Sequence, residues 1–185
     1  MRPLFTIHAG EYVVGEHIEK AFPSLDIWIP AKDSGIDLLV TGRSRKAPIS
    51  LQVKLSRDYK PMEAITDFDK GMLAQGWLTI DHAKLANSKA DLWVIVLVSH
   101  ERKQRPLFVL VPPQHLLRKL VIIHGNSNRY QFYPWVTRNG ACLDGRGLSA
   151  AHKRQLADGA IVLGERDFSS YLGNWRSLEL LADKM

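Results

Sequence analysis

Ser34–Lys54 reads SGIDLLVTGRSRKAPISLQVK. Two apolar runs, Ile36–Thr41 and Ile49–Leu55, flank a basic turn that contains Gly42 and Pro48. This pattern predicts a β-hairpin. The first run carries one carboxylate, Asp37, where strand propensity disfavours an acid. The second carries Gln52 and Lys54, two positions apart, so both side chains project from one face of the strand. An antiparallel neighbour brings Asp37 beside them. An acid, an amide oxygen and an ammonium then converge, a set suited to metal-assisted phosphodiester chemistry. A strand-end aspartate capping a loop is the plainer alternative for Asp37. Three polar departures across one hairpin favour a site, because such departures from local propensity concentrate where a protein functions.

The 185 residues are 45% hydrophobic and 24% charged, which suits one globular domain with a real core. A single domain over residues 1–185 is therefore expected. The net charge is +6, which favours a polyanionic partner over a neutral one. Arg43, Arg45 and Lys46 lie in the hairpin turn, and Arg57 and Lys60 follow the second strand. Arg102, Lys103 and Arg105 form a further basic turn. A solvated surface is the alternative use of these charges. Cys142 is the only cysteine, so no intrachain disulfide forms. The start shows no secretory pattern, and a cytoplasmic location is expected. No apolar run approaches the ~18 residues that span a bilayer, so no membrane partner is expected.

Residues 8–22, HAGEYVVGEHIEKAF, predict a first helix with Val14, Ile18 and Ala21 inward and Val13 and Phe22 widening the stripe. Glu11 falls in its first turn, where a carboxylate suits the helix dipole, and Pro23 ends it. Residues 26–31 predict a short strand. Beyond the hairpin, residues 55–90 read as helical or irregular, with a short helix over 79–88 and Ile80, Ala83 and Leu85 inward. Asp91–Ser99 is the most apolar run and predicts a buried central strand reached by a crossover. Leu107–Val111 predicts another strand, and Pro112-Pro113 opens a helix to Leu120. Val121–His124 and Tyr130–Val136 are weaker strand patterns, Asn139–Gly147 a loop, and HKRQLADG a short helix. A final helix follows from Glu165, with Trp175, Leu178 and Leu181 inward. The five tryptophans read as core anchors, with base stacking as the alternative. The expected fold is α/β, a mixed central sheet flanked by helices, with a core over about 8–111 and C-terminal helical additions over about 112–185.

The chain resembles the PD-(D/E)XK nuclease superfamily, whose restriction-endonuclease-like core is αβββαβ. The resemblance rests on Asp37 in GIDLLV, then Gln52-Val53-Lys54, and on GEYVVGEHIEKAF upstream. The upstream stretch is similar to the first helix of archaeal Holliday-junction resolvases and of small intron-type members. In those resolvases an acid near the helix start joins the metal site. Glu11 matches it best, because Ile18 then falls at their apolar anchor, and Glu16 is the second choice. Ile36 stands where the family name has Pro, and Gln52 where most members have an acid. A Gln-x-Lys variant occurs among active members, including an intron homing endonuclease.

The resemblance implies a Mg²⁺-dependent endonuclease, with Mn²⁺ able to substitute, acting on double-stranded or branched DNA. Asp37, the Gln52 oxygen, the Val53 carbonyl and Glu11 would hold the metal. Lys54 would either position the attacking water or stabilise the pentacovalent oxyanion. Ser56 would contact the phosphate or be an ordinary surface serine. Arg43, Arg45, Lys46, Arg57 and Lys60 would track the nucleic-acid backbone. A homodimer would serve to cut two strands. The alternative is an inactive protein of the same fold that binds nucleic acid or a protein partner, and Gln52 in place of an acid is its feature. No HExxH, no phosphate-binding GxxxxGK[ST] loop and no Cys pattern supports a different chemistry.

Overall fold

The computed structural model describes residues 8–32, 34–42, 47–56, 71–98, 105–158 and 164–182. Helix α1 spans Ala9–Ala21, followed by strands β1 (Leu25–Trp28), β2 (Leu38–Gly42) and β3 (Ile49–Leu55). Then come β4 (Met72–Gln75), β5 (Leu78–Asp81), the short helix α2 (His82–Ala86), β6 (Leu92–Leu97) and β7 (Leu107–Val111). Helix α3 (Pro113–His124), β8 (Arg129–Phe132), β9 (Pro134–Thr137), β10 (Cys142–Asp144), α4 (Ala150–Ala157) and α5 (Arg176–Ala182) complete the order. The fold is α/β, with a mixed five-stranded central sheet in the order β1-β2-β3-β6-β7. The pairs β1–β2, β2–β3 and β6–β7 are antiparallel, and β3–β6 is parallel.

Strand β6 is buried at every position from Leu92 to Leu97. Alternate side chains leave opposite faces of a strand, so both faces of the sheet need a cover. Leu92, Val94 and Val96 pack with Val14 and Ile18 of α1 and with Leu178 and Leu181 of α5. Trp93, Ile95 and Leu97 pack on the other side with Leu116 and Leu120 of α3 and with Ile80, Tyr130, Phe132 and Val136. The second cover is partly made of strands: a three-stranded sheet β10-β9-β4 and a two-stranded ribbon β5-β8. Each fully buried Val, Leu, Ile, Phe or Met side chain contributes about 1.5–3 kcal/mol, and removing either layer would expose three apolar residues of β6 alone.

Helix α1 forms because its apolar positions recur at helical spacing and its start is satisfied. The backbone N–H of His8 donates to Glu11 Oε2 at 3.1 Å, which occupies one of the groups that a helix start leaves unpaired. The helix stops at Ala21, two residues before Pro23. Gly10, Val14 and Ile18 form its buried stripe, whereas Ala21 is exposed.

Several expectations change. Residues 72–81 are strands β4 and β5, where helical or irregular chain was expected. Each has four residues, too few to show a period, and each owes its state to pairing with β9 or β8 far downstream. The short helix begins only at His82; Ile80 belongs to β5, and Ala83 is exposed. Val121–His124 is the last turn of α3, because the Leu116–Leu120 spacing carries the helix through its β-branched end. Tyr130–Val136 divides into β8 and β9, which join different sheets. Asn139–Gly147 contains β10, and Cys142 there is buried. The final helix is broken: two 3-10 turns, Gly164–Arg166 and Ser169–Tyr171, precede α5. Gly173 with φ +61 sits between them and α5, in a conformation that a helix cannot continue through. The C-terminal portion is thus helices and strands together. Among the described residues no helix is long and apolar enough to cross a membrane.

His17 locks α1 to the C-terminal layer. Its ring stacks on Trp175 at 4.6 Å and tilts against Phe108 at 4.7 Å. Burial, helped by the guanidinium of Arg105, holds its pKa below the usual histidine value of 6.5. The unfolded chain therefore takes up this proton first as the solution is acidified. Stability from His17 is complete above pH 6.5 and is lost as pH falls from there through the depressed folded value. Urea unfolding between pH 8 and pH 5 should show stability falling with acidification. His17→Gln should flatten that dependence; an unchanged slope in the variant would remove His17 as its source.

Candidate active site

A cleft of about 720 Å³ opens where α1 and β2 begin, against the middle of β3. Glu11, Asp37, Gln52, Val53 and Lys54 all line it. The chain is shaped locally to bring them there. A side chain at Gly10 would meet Leu55 Cβ at 3.0 Å and Val53 Cγ1 at 3.2 Å, so glycine lets the first turn of α1 press onto β3. Glu11, the next residue, is thereby set at the cleft. Gly35 adopts φ +81, the left-handed geometry that turns the chain into β2.

Asp37 precedes β2 rather than lying inside it. Its backbone N–H still bonds the Leu51 carbonyl at 2.8 Å. Its carboxylate then does what a further strand residue would do: Oδ2 accepts from the backbone N–H of Val53 at 2.6 Å. The same oxygen accepts from Gln52 Nε2 at 3.2 Å. Among the described residues Oδ1 accepts nothing. Leu51 faces β2 with its carbonyl, and Ser56 donates to Val96 of β6. By strand alternation the carbonyl of Val53 points to the β2 side, past the end of that strand. Gln52 and Lys54 share a face, opposite Trp93 and Ile95 in the parallel register. Lys54 Nζ lies 5.4 Å from the centre of the buried Trp93 ring. Trp93 in turn donates through Nε1 to Ser88 Oγ at 2.9 Å.

The remaining sequence candidates divide. Glu16 lies outside this cleft and pairs with Lys20 at 2.7 Å on the exposed face of α1. Ser56 is buried rather than available to a phosphate: its Oγ accepts from Trp77 N at 2.6 Å. Arg43, Arg45, Lys46, Arg57, Lys60, Arg102 and Lys103 lie outside the described residues. Cys142 is no nucleophile: burial, with the nearby Asp167 and Asp144 carboxylates, pushes its thiol pKa up. Of the tryptophans, Trp93, Trp135 and Trp175 are core residues, while Trp28 and Trp77 are exposed.

The opposite wall was not read from the sequence. It consists of Thr79, Ile80 and Asp81 at the end of β5 and Lys84, Asn87, Ser88 and Lys89 in and after α2. Asp81 caps α2, accepting from Lys84 N at 3.0 Å. These residues show only ordinary short-helix patterning, and their meeting with the hairpin is a long-range event.

The donor set fits a hard divalent cation. It offers Oδ1 of Asp37, the carboxylate of Glu11, the Gln52 amide oxygen and the Val53 carbonyl. Among the described residues no group of three or more His, Cys, Asp or Glu side chains is arranged to hold a metal. Any ion here would thus rest on two carboxylates and neutral oxygens. In comparisons with known proteins the chain matches no family model, no curated protein and no solved structure.

Asp37 has a structural duty that its charge does not express. Asp37→Ala strands the buried Val53 N–H and should cost about 1–3 kcal/mol in urea unfolding. Asp37→Asn keeps an oxygen for that N–H and should lose much less. Equal losses in the two variants would show that the carboxylate does not support the backbone.

Proposed function

We propose that this protein is a divalent-metal-dependent endonuclease that hydrolyses phosphodiester bonds in DNA, on a restriction-endonuclease-like core of the PD-(D/E)XK type. One observation carries the reading. Glu11, Asp37, Gln52 and Lys54 come from three separate stretches and line one cleft, with Asp37 bonded to Gln52 and to Val53. The order α1, β1, β2, β3, then β6 parallel to β3, supports the αβββαβ comparison. The net charge of +6 suits a polyanionic substrate.

Asp37 and Glu11 supply the negative charge that holds Mg²⁺, or Mn²⁺ in its place, and the oxygens of Gln52 and Val53 complete the protein's share. A divalent ion lowers the pKa of bound water and offsets charge on the phosphoryl oxygens. Gln52 acts at both ends of its amide. Its nitrogen fixes the orientation of Asp37, which an acid at this position cannot do when ionised. Its oxygen remains for the ion. Lys54 carries the fixed positive charge of the site and stabilises the pentacovalent oxyanion as water attacks phosphorus and the P–O bond to the leaving group breaks. The buried Trp93 beneath it restricts water on that side.

The test is cleavage of supercoiled plasmid and branched oligonucleotides in Mg²⁺ and in Mn²⁺. The wild type should nick, Asp37→Asn should abolish cutting, and Lys54→Ala should lower the rate about 10²–10³-fold, as for removal of one donor to a transition-state oxyanion. Salt-sensitive DNA binding with no cutting of any substrate would instead support a non-catalytic binding protein. Neither binding nor cutting would remove the nucleic-acid reading altogether.

A further inference from the structure

We infer that Lys84 and Lys89, on the wall of the cleft opposite Asp37, are phosphate contacts that hold the nucleic-acid strand in register. This rests on the reading of the cleft as a phosphodiester site. The two walls differ in charge. Glu11 and Asp37 stand with Lys54 on one side, and Lys84 and Lys89 on the other, where the carboxylate of Asp81 is engaged by the backbone N–H of Lys84. Both lysines are exposed, and among the described residues neither is held in an ion pair. Their surroundings fix where they stand. Asp81 caps α2 through Lys84 N, and Ser88 is tied to Trp93 in the floor of the cleft. The segment carrying both lysines is thereby anchored to the same floor that underlies Lys54.

A cleft with a metal-holding wall and nothing opposite would bind one phosphate without fixing the chain direction. A polyanion gains when each further phosphate meets a cation, since every contact releases condensed counterions. Two ammonium groups across from the acids supply such contacts for the phosphates beside the scissile one. They read the backbone and not base identity. Lysine suits this duty as a mobile point charge that needs no bidentate geometry.

The experiment is the salt dependence of binding of a fluorescent duplex DNA to the full chain, from 50 to 300 mM KCl without divalent metal. Each lost phosphate contact should lower the slope of log K against log salt by about 0.9. Lys84→Gln and Lys89→Gln should each do so, and the double variant should lower it by about twice that. Arg154→Gln, an exposed charge on α4 outside the cleft, removes the same net charge and should leave the slope unchanged. Slopes in both lysine variants equal to the wild type would overturn the inference while leaving plasmid cleavage to stand alone. An equal drop with Arg154→Gln would reduce the effect to general charge and overturn it also. A wild type that binds no DNA would sink it as well. Lowered slopes in a protein that cuts nothing would keep the lysine contacts and discard the nuclease.

Discussion

The parallel pairing of β3 with β6 is the constraint on which the rest depends. A parallel pair cannot be closed by a tight turn, so the chain must leave the sheet and return. It must also be covered on both faces, because β6 carries six consecutive buried side chains. With one excursion the chain meets the first demand and part of the second. On leaving β3 it builds β4, β5 and α2 before re-entering at β6, and those elements become part of one cover. Helices α1 and α5 supply the other. The cleft lies where the excursion passes over the end of the hairpin. Its two walls therefore come from the two sides of a single topological requirement.

Within that frame the site has little freedom. Strand β2 begins one residue after Asp37, and the Asp37 carboxylate takes the hydrogen bond that another backbone carbonyl would have taken. The acid is held at 2.6 Å from a strand N–H, which fixes it more firmly than a side chain on a loop. Ser50 and Asp91 perform a similar service at the other end of the pair. Asp91 Oδ2 accepts from Ser50 N at 2.8 Å and from Ser50 Oγ at 2.6 Å, which pins the entry of β6 to β3. The Ser50–Asp91 bonds thus help set the register of the β3–β6 pair at its start, while the apolar middle supplies the burial.

The parts legible in the sequence were those whose signal is local. The hairpin announced itself through two apolar runs and a basic turn, and β6 through its uninterrupted apolar stretch. Asp37, Gln52 and Lys54 could be placed near one another because the strand period fixes direction, whereas Glu11 was joined to them only by the family resemblance. The strands β4 and β5 could not be seen, since four residues around Gly76 show no period and their partners are remote. The run Val121–His124 misled because β-branched residues favour strands, yet a helix already nucleated from Pro113 extends through them. Lys84 and Lys89 were invisible as site residues for the same reason as β5: only packing across the sheet brings them to the cleft. Ser56 looked exposed by alternation with Lys54, but the chain at Trp77 folds over it.

The bond from Val53 to Asp37 has a consequence for how this chain can change over time. A side-chain oxygen that replaces a missing strand carbonyl is retained by folding as well as by any reaction. A descendant that abandoned chemistry would still be penalised for discarding it. Gln52 has no such protection, because among the described residues its amide meets the side chain of Asp37 and no backbone group. Decay of the site would therefore begin at Gln52 and reach the aspartate last. In a distant relative, an aspartate alone at this place would testify to the hairpin and not to the activity.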